Sequence, residues 1–227
     1  MSKQNKPYQS CLVKVPMFAH LSEEEQNQIV DLIRVQKVKK GELVYGAGDK
    51  KDALYIVHEG KVKVSRLSTT GEEQVIRILN PGDFVGERSL FSGEEATDYA
   101  TSVEDCKLCV IRAETLKTHM ISHPQIMFSV MKEISTRLEK AETLIETTNL
   151  LPVDKRLAIA IMNLKDKQNI IDLPYTKADW ASLLGMKPET LSRKLREFKD
   201  EKRLRLKGQR TIYIDDVAYF ERLSKAS

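Results

Sequence analysis

Residues 175–200, YTKADWASLLGMKPETLSRKLREFKD, predict two short helices joined by a tight turn at Gly185. Thr176 is a suitable N-cap for the first helix, and Asp179, three residues later, completes a variant of the capping box. An apolar face precedes the glycine, and Pro188 suits the first turn of the second helix. Two helices in this arrangement form a helix-turn-helix, a motif that places its second helix in the major groove of DNA.

The second predicted helix has one apolar face and one polar face. Three apolar residues recur at helical spacing and are expected to face the core: Leu191, Leu195 and Phe198. The polar face then carries Glu189, Ser192, Arg193 and Arg196. Arginine can pair with both acceptors of a guanine, glutamate can accept from a base amino group, and serine can bond to a base. These residues are candidates for base reading, and the alternative interpretation is a solvated charged face.

Length and charge place this motif in a basic domain. The chain has 227 residues, which allows one large or two ordinary domains, and two fit better. Residues 154–227 contain 17 lysines and arginines against 11 aspartates and glutamates, a net charge of +6. Residues 1–153 contain 20 lysines and arginines against 22 aspartates and glutamates, a net charge of −2. Because basic side chains release counterions from DNA phosphates, this asymmetry favours double-stranded DNA as a partner.

The remaining composition predicts a soluble, cytoplasmic protein without a membrane partner. The sequence lacks an apolar run of about 18 residues, and its first residues, MSKQNKPYQS, lack the apolar core of a signal peptide. Its three cysteines are an odd number without framework spacing, which argues against a secreted disulfide scaffold.

The N-terminal half changes its periodicity from helix to strand. Residues 21–35 predict a short amphipathic helix capped by Ser22. From Val38 to Ile111, short alternating segments are separated by glycines, most of which are expected in turns. This pattern predicts a compact all-β roll or barrel.

Helical periodicity returns after Pro124 and continues for about 22 residues. Its apolar positions are close to a heptad seam: Met127, Val130, Ile134, Leu138, Ala141 and Ile145. Such a helix projects near 33 Å at 1.5 Å per residue, which is more than one small roll can cover. We therefore expect a homodimer through this helix, with packing onto the chain's own roll as the alternative.

Two further signals define the C-terminal part. Pro152 marks a hinge, after which residues 154–164 predict another helix. Residues 204–214, LRLKGQRTIYI, predict a hairpin that turns at 207–209. This hairpin forms a basic wing, in which Lys207 and Arg210 are placed to touch the phosphate backbone.

The order of β-roll, long helix and winged helix-turn-helix resembles the CRP/FNR family of bacterial transcription regulators. The resemblance covers about residues 16–214 and is carried by these motifs: Gly48-Asp49, Leu54-Tyr55-Ile56, Glu59-Gly60, Gly71, Pro81-Gly82-Asp83-Phe84-Val85-Gly86-Glu87 and Glu189-Thr190-Leu191-Ser192-Arg193. It implies an α+β fold with a double-stranded β-roll sensor similar to cyclic-nucleotide-binding domains (1–123), a dimerisation helix (124–150) and a winged helix-turn-helix (151–227). It also implies RNA polymerase as a partner.

The recognition motif resembles that of the FNR branch, which reads TTGA half-sites in a palindrome. By this resemblance Arg193 pairs with the guanine, Glu189 with bases of the opposing strand, and Ser192 with a thymine. Lys187 and Thr190 are expected to reach phosphate or flanking bases.

The sensor departs from the cyclic-nucleotide-binding pattern. Relatives that bind cyclic nucleotides continue after Gly-Glu to an Arg-Ser or Arg-Thr pair, which holds the cyclic phosphate. Here Gly86 and Glu87 are present, but Ala96 stands at the arginine position before Thr97. Arg88 is near in sequence but is expected beyond the Leu90-Phe91 segment, so we expect no guanidinium fork for the phosphate and no cyclic AMP binding.

The cysteines also depart from the family's iron–sulfur set of four. Cys11 and Cys109 match two of those positions, which is too few for a four-cysteine cluster. Cys106 is three residues from Cys109 in a strand, hence on the opposite face, and is expected to be buried. By the family topology, Cys11 and Cys109 could close a reversible disulfide as a redox switch; the alternative is two unconnected thiols.

Other functional classes have less support. A cupin-like metal enzyme needs clustered ligands, but the four histidines (20, 58, 119 and 123) form no His-x-His pair, and Gly-x-Ser-x-Gly is absent. We therefore expect no metal site and no catalytic residues. A haem-sensing member of the family could use His58 or Cys109 as an axial ligand. An RNA-binding module would need an exposed aromatic platform.

Overall fold

The computed structural model describes Val15, Phe18, residues 22–50 and residues 52–225. The chain divides after Leu138 into two compact units. In the described part, no helix is both long enough and apolar enough to cross a membrane.

The N-terminal unit is built from two antiparallel sheets. Its helices and strands are α1 (Glu23–Val30), β1 (Arg34–Val38), β2 (Leu43–Tyr45), β3 (Ala53–Glu59), β4 (Val62–Leu67), β5 (Glu73–Leu79), β6 (Phe84–Val85), α2 (Glu87–Ser92), β7 (Tyr99–Ser102), β8 (Cys106–Arg112) and α3 (Ala113–Ser122). One sheet has the order β1-β8-β3-β6 and the other β2-β7-β4-β5. These sheets form the predicted roll. Ser22 caps α1, as expected, and its backbone N–H bonds to Glu25 to complete a capping box.

Strand β8 separates two apolar clusters of the roll. Cys109 is fully buried among Leu54, Ile56 and Phe84, whereas Cys106 packs with Val57 and Val62. The two thiols therefore lie on opposite faces of the strand, which confirms the prediction that Cys106 is a buried packing residue.

Helix α4 (Pro124–Leu150) follows the roll and is 27 residues long. Its first turns belong to the roll, because Ile126 and Val130 are buried in the same cluster as Cys109. The prediction was therefore wrong for Val130, whose side chain packs inward because the start of the helix covers the roll. The other predicted seam positions are exposed: Met127, Ile134, Leu138, Ala141 and Ile145.

The C-terminal unit holds the predicted winged helix-turn-helix. Its further elements are α5 (Val153–Leu164), β9 (Ile170–Asp172), α6 (Lys177–Leu183), α7 (Pro188–Asp200), β10 (Leu204–Lys207), β11 (Thr211–Ile214) and α8 (Val217–Lys225). Pro152, the predicted hinge, is the N-cap residue of α5. The three strands form one antiparallel sheet in the order β10-β11-β9. The Phe198 and Phe220 rings meet edge to face in the core, with centroids 5.1 Å apart.

Candidate DNA-binding surface and effector cavity

The first helix of the helix-turn-helix motif, α6, begins with the expected reciprocal cap. The Thr176 hydroxyl oxygen accepts from the Asp179 backbone N–H at 3.1 Å, and Asp179 Oδ2 accepts from the Thr176 N–H at 3.0 Å. The Asp179 side chain also accepts from the Thr176 hydroxyl, and the residue is buried. These bonds satisfy backbone donors that a helix start leaves free.

Arg156 of α5 holds the turn between α6 and α7 in place. Gly185 has φ +62°, a left-handed conformation that suits glycine. Arg156 Nη1 donates to the carbonyl oxygens of Leu184 and Gly185, at 2.8 and 3.0 Å. This arginine satisfies carbonyls at the end of α6. No local sequence pattern points to Arg156, because its partners are backbone atoms 28 and 29 residues away.

Helix α7 presents the predicted base-reading residues outward. Its three predicted core residues are buried: Leu191, Leu195 and Phe198. The side chains predicted to read bases or contact phosphate are exposed at Lys187, Glu189, Ser192, Arg193 and Arg196, and half-buried at Thr190. Arg193 has Glu197 one turn later, with Nε 3.9 Å from Oε1. Such a long contact leaves the guanidinium able to pair with another acceptor.

Lys194, also on α7, is held by carboxylates. Its Nζ donates to Glu197 Oε2 at 2.7 Å and to Asp154 Oδ2 at 3.1 Å, and these hydrogen bonds raise the pKa of the amine. The lysine thus attaches α7 to the start of α5. Its charge is compensated within the domain, so we do not count it among the DNA contacts.

The wing is the hairpin of β10 and β11, with its turn at residues 208–210. Lys207 is exposed and is the last residue of β10, so the turn begins one residue later than the predicted 207–209. Arg210 is half-buried, and its Nη1 lies 3.4 Å from the Pro174 carbonyl oxygen, so it partly supports the wing. Arg205 forms a two-pronged pair with Asp215, which raises the pKa of the guanidinium.

A cavity of about 480 Å³ lies in the N-terminal unit. All five residues of the predicted effector pocket line it: Gly86, Glu87, Arg88, Ala96 and Thr97. Gly86 is required by the backbone, since it has φ +101° and an added Cβ would lie 2.3 Å from the Ala53 carbonyl oxygen. Burial and the nearby Asp98 carboxylate raise the pKa of Tyr45, whose hydroxyl donates to Asp98 at 3.1 Å.

Glu87 is the centre of an ion cluster on the cavity wall. Its Oε1 accepts from Arg77 Nη2 at 3.0 Å and from Arg137 Nη1 at 2.9 Å. Arg137 also donates to the Phe84 carbonyl at 3.1 Å and lies 4.0 Å from the centroid of that ring. Glu87 Oε2 and Arg77 Nε are buried and make no hydrogen bond to the described part of the chain. The sequence did not indicate the two arginines, because β5 and α4 supply them from a distance.

The expected separation of Arg88 from Thr97 was wrong. Arg88 Nη1 lies 3.1 Å from the Thr97 hydroxyl oxygen, and Arg66 Nη2 lies 3.3 Å from the same atom. Helix α2 is only six residues long, and the chain after it returns to its first turn. This return brings Arg88 to Thr97 and pairs its other nitrogens with Glu94.

The cysteines and histidines that the structure describes form no clustered metal site. Cys109 is fully buried, and Cys11 lies outside the described residues, so their pairing stays a prediction. No group of three or more histidine, cysteine or acidic side chains that could hold a metal ion occurs among the residues described. His123 Nδ1 lies 3.0 Å from Glu25 Oε1, and His58 contacts Glu59 at 3.7 Å.

Comparison with known proteins connects both sites to one family. A cyclic nucleotide-binding domain model matches residues 35–123, and a Crp-like helix-turn-helix domain model matches residues 155–223. The chain is 27% identical to the "Probable transcriptional regulator flp" of Lacticaseibacillus casei over 93% of this chain and 98% of that protein. It is 28% identical to the "Fumarate and nitrate reduction regulatory protein" of Salmonella typhimurium over 83% of this chain and 78% of that protein. The chain belongs to the CRP/FNR family of transcription regulators. The FixK2 structure from Bradyrhizobium japonicum has the same fold, with a TM-score of 0.74, 22% identity and coverage of 86% of this chain and 98% of that one.

Membership of the CRP/FNR family confirms several predictions. The chain is a DNA-binding transcription regulator and not an enzyme, since the family consists of regulators. The α+β architecture with a cyclic-nucleotide-binding-like domain and a helix-turn-helix is confirmed as well. The cupin-like enzyme is thereby rejected.

Proposed function

We propose that this CRP/FNR regulator binds a TTGA-type palindrome as a homodimer. The observation that carries the proposal is the arrangement on α7, where Glu189, Ser192 and Arg193 are exposed while the opposite face is buried. In this arrangement Arg193 pairs with the guanine edge, Glu189 accepts from base amino groups of the opposing strand, and Ser192 contacts a thymine. Lys187, Thr190, Arg196 and the wing residues Lys207 and Arg210 contact phosphate or flanking bases.

The proposed dimer forms through α4. Several large apolar side chains of this helix are exposed: Met131, Ile134, Leu138, Leu144 and Ile145. Exposed apolar groups at helical spacing favour a second helix as a partner. In this proposal residues 1–123 sense a signal, 124–150 form the dimer, 151–227 bind DNA, and RNA polymerase is the partner that the bound dimer contacts.

Fluorescence anisotropy tests the DNA site. A duplex with TTGA-N6-TCAA and a scrambled control are titrated at one fixed salt concentration, because phosphate contacts dominate affinity. We expect tighter binding to the palindrome, whose half-sites are about one helical turn apart. Equal affinity for both duplexes, in a protein that is folded and dimeric, would contradict the TTGA assignment.

The same titration, repeated after mild oxidation, tests redox control through Cys11 and Cys109. We expect the oxidised and reduced proteins to differ in affinity for the palindrome, and Cys11→Ser to abolish that difference. If the Cys11→Ser protein still differs between the two states, the proposed disulfide is not the switch.

Sedimentation tests the dimer independently of DNA. We expect Ile145→Glu to shift the protein to monomer, because a charge would replace a buried apolar contact at the interface. Leu67→Glu is the matched control, since Leu67 is 50% exposed on β4, outside α4. A dimer that survives Ile145→Glu and also Leu138→Glu would place the interface elsewhere.

A further inference from the structure

Arg193, the proposed guanine reader, has a carboxylate beside its guanidinium group. Glu197 Oε1 lies 3.9 Å from Arg193 Nε, and this arginine forms no other ion pair within the part of the chain that the structure describes. The two residues are four apart on α7 and so share one face of the helix. Helical side chains lean towards the N-terminus, which directs Glu197 towards Arg193. Because the carboxylate approaches Nε, the two terminal nitrogens of the guanidinium stay available for the two acceptors of a guanine.

Glu197 is itself held by a second basic residue. Its Oε2 accepts a hydrogen bond from Lys194 Nζ at 2.7 Å, and the same Nζ donates to Asp154 Oδ2 of α5 at 3.1 Å. The Lys194 side chain is 20% exposed, whereas that of Arg193 is 69% exposed. The Glu197 carboxylate therefore joins a shielded anchor to the exposed base reader.

The charges of these four side chains balance only if Arg193 shares Glu197. Asp154 already supplies a counter-charge to Lys194, so the lysine does not need Glu197 for neutralisation. The second carboxylate is then left for the second cation, Arg193. A glutamate on this face without a cation would repel the DNA phosphates, because like charges raise the energy of the complex.

We propose that Glu197 is a positioning residue for base reading, which orients the Arg193 guanidinium through Nε while Lys194 anchors it. Residues near the start of a recognition helix contact base edges, and Glu197 lies one turn beyond Arg193, so it acts through the arginine. An arginine that is oriented before DNA arrives loses less conformational freedom on binding. The benefit falls on guanine, since guanine offers the two acceptors that match the oriented guanidinium.

This inference rests on the proposed base-reading role of α7 but not on the TTGA sequence. The test therefore selects bound duplexes from a pool of randomised sequence at one salt concentration. It compares the base preferences of wild type with those of Arg193→Ala, Glu197→Ala and the variant that carries both changes. Glu221→Ala is the matched control, because Glu221 is an exposed glutamate of α8 that pairs with Lys225 four residues later. Urea denaturation of each variant measures stability, which should change little, since exposed ion pairs contribute little to it.

We expect Glu197→Ala to lower discrimination about three- to tenfold at the base pair that Arg193→Ala affects, and at no other. Glu197→Gln keeps an acceptor oxygen but loses the charge, so its loss should be smaller than that of Glu197→Ala. The double variant should discriminate no worse than Arg193→Ala, and Glu221→Ala should keep the wild-type preferences.

Unchanged discrimination in Glu197→Ala, or a further loss in the double variant, would overturn the proposal. A uniform change in affinity for all duplexes would overturn it as well, because Glu197 would then act only through its charge. Wild type could select a site other than TTGA while Glu197→Ala and Arg193→Ala relax the same base pair of it. In that case the TTGA assignment fails and the positioning role of Glu197 stands, so the two proposals fail separately.

Discussion

The Nη1 atom of Arg137 lies 2.9 Å from Oε1 of Glu87 and so joins helix α4 to the wall of the cavity. The contact is partly shielded, since the two side chains are 18% and 20% exposed. Arg137 also donates to the Phe84 carbonyl oxygen and lies over the Phe84 ring. Glu87 therefore ties the wall of the cavity to α4, the helix proposed to form the dimer.

Replacing Arg137 with alanine is expected to destabilise the roll. The change removes a charge-assisted hydrogen bond to Glu87 and a bond to Phe84, so we expect a loss of about 1–3 kcal/mol in the free energy of unfolding. Urea denaturation measures it. Arg137→Lys, which keeps the charge but not the guanidinium fork, should lie between wild type and Arg137→Ala. An alanine variant with an unchanged midpoint would show that the contact contributes nothing to stability.

Arg193→Ala is expected to relax discrimination at the guanine of the half-site. Losing the bidentate contact should weaken binding to the duplex with the correct base by roughly 1–3 kcal/mol. Binding to a duplex in which that base is already changed should weaken only a little. Anisotropy with the two duplexes measures the difference. A uniform loss on both duplexes would mean that Arg193 contacts phosphate.

Lys207→Ala in the wing is expected to weaken all DNA sequences similarly. Lys207 is exposed beside the turn of the hairpin, where a phosphate contact carries no sequence information. The slope of log affinity against log salt should fall by about one. Titrations at several salt concentrations measure this slope, and a changed preference between palindrome and control would point to a base contact instead.

The turn glycine should not tolerate alanine. Gly185 and Gly208 both have a left-handed backbone conformation with φ +62°. Alanine adopts this conformation at a cost of about 1–2 kcal/mol, so it destabilises the fold at either position. A Cβ at Gly185 would also lie 2.9 Å from Thr148 Cγ2, whereas one at Gly208 would meet nothing within 4 Å. Denaturation of both variants should therefore show the larger loss for Gly185→Ala. Equal losses would mean that Thr148 moves aside without cost.

The stability of the C-terminal unit should depend on Asp216 and pH. Bonds from the Tyr219 backbone N–H and from Arg203 lower the pKa of this carboxyl. The pKa of Asp216 is lower in the folded state than in the unfolded chain, where it is about 3.9. The ionised carboxylate therefore stabilises the fold fully above pH of about 3.9, and this contribution is lost as the pH falls through the pKa of the folded state. Asp216→Asn should thus unfold more easily than wild type at neutral pH and approach it in acid. A difference that is constant with pH would contradict this linkage.

Local signals in the sequence predicted the helix-turn-helix closely. Thr176, Asp179, Gly185 and Pro188 act within one or two turns of their own chain, so a cap or a helix break can be inferred from spacing alone. The alternation in β8 likewise placed Cys106 and Cys109 on opposite faces. Where a contact joins distant parts of the chain, no such spacing exists, and Val130 was assigned to the wrong partner.

By itself, the sequence therefore determined the kinds of elements, their order, and the outward face of α7, because side-chain periodicity and capping depend on neighbouring residues. Only the tertiary structure decided how Thr97 is surrounded. Arg66 is 31 residues from Thr97 and Arg88 is nine residues away, and both reach it through the packing of β4 and the return of the chain after α2. The identity of the cavity's cations depends on long-range packing, which fixes distances that no local pattern encodes.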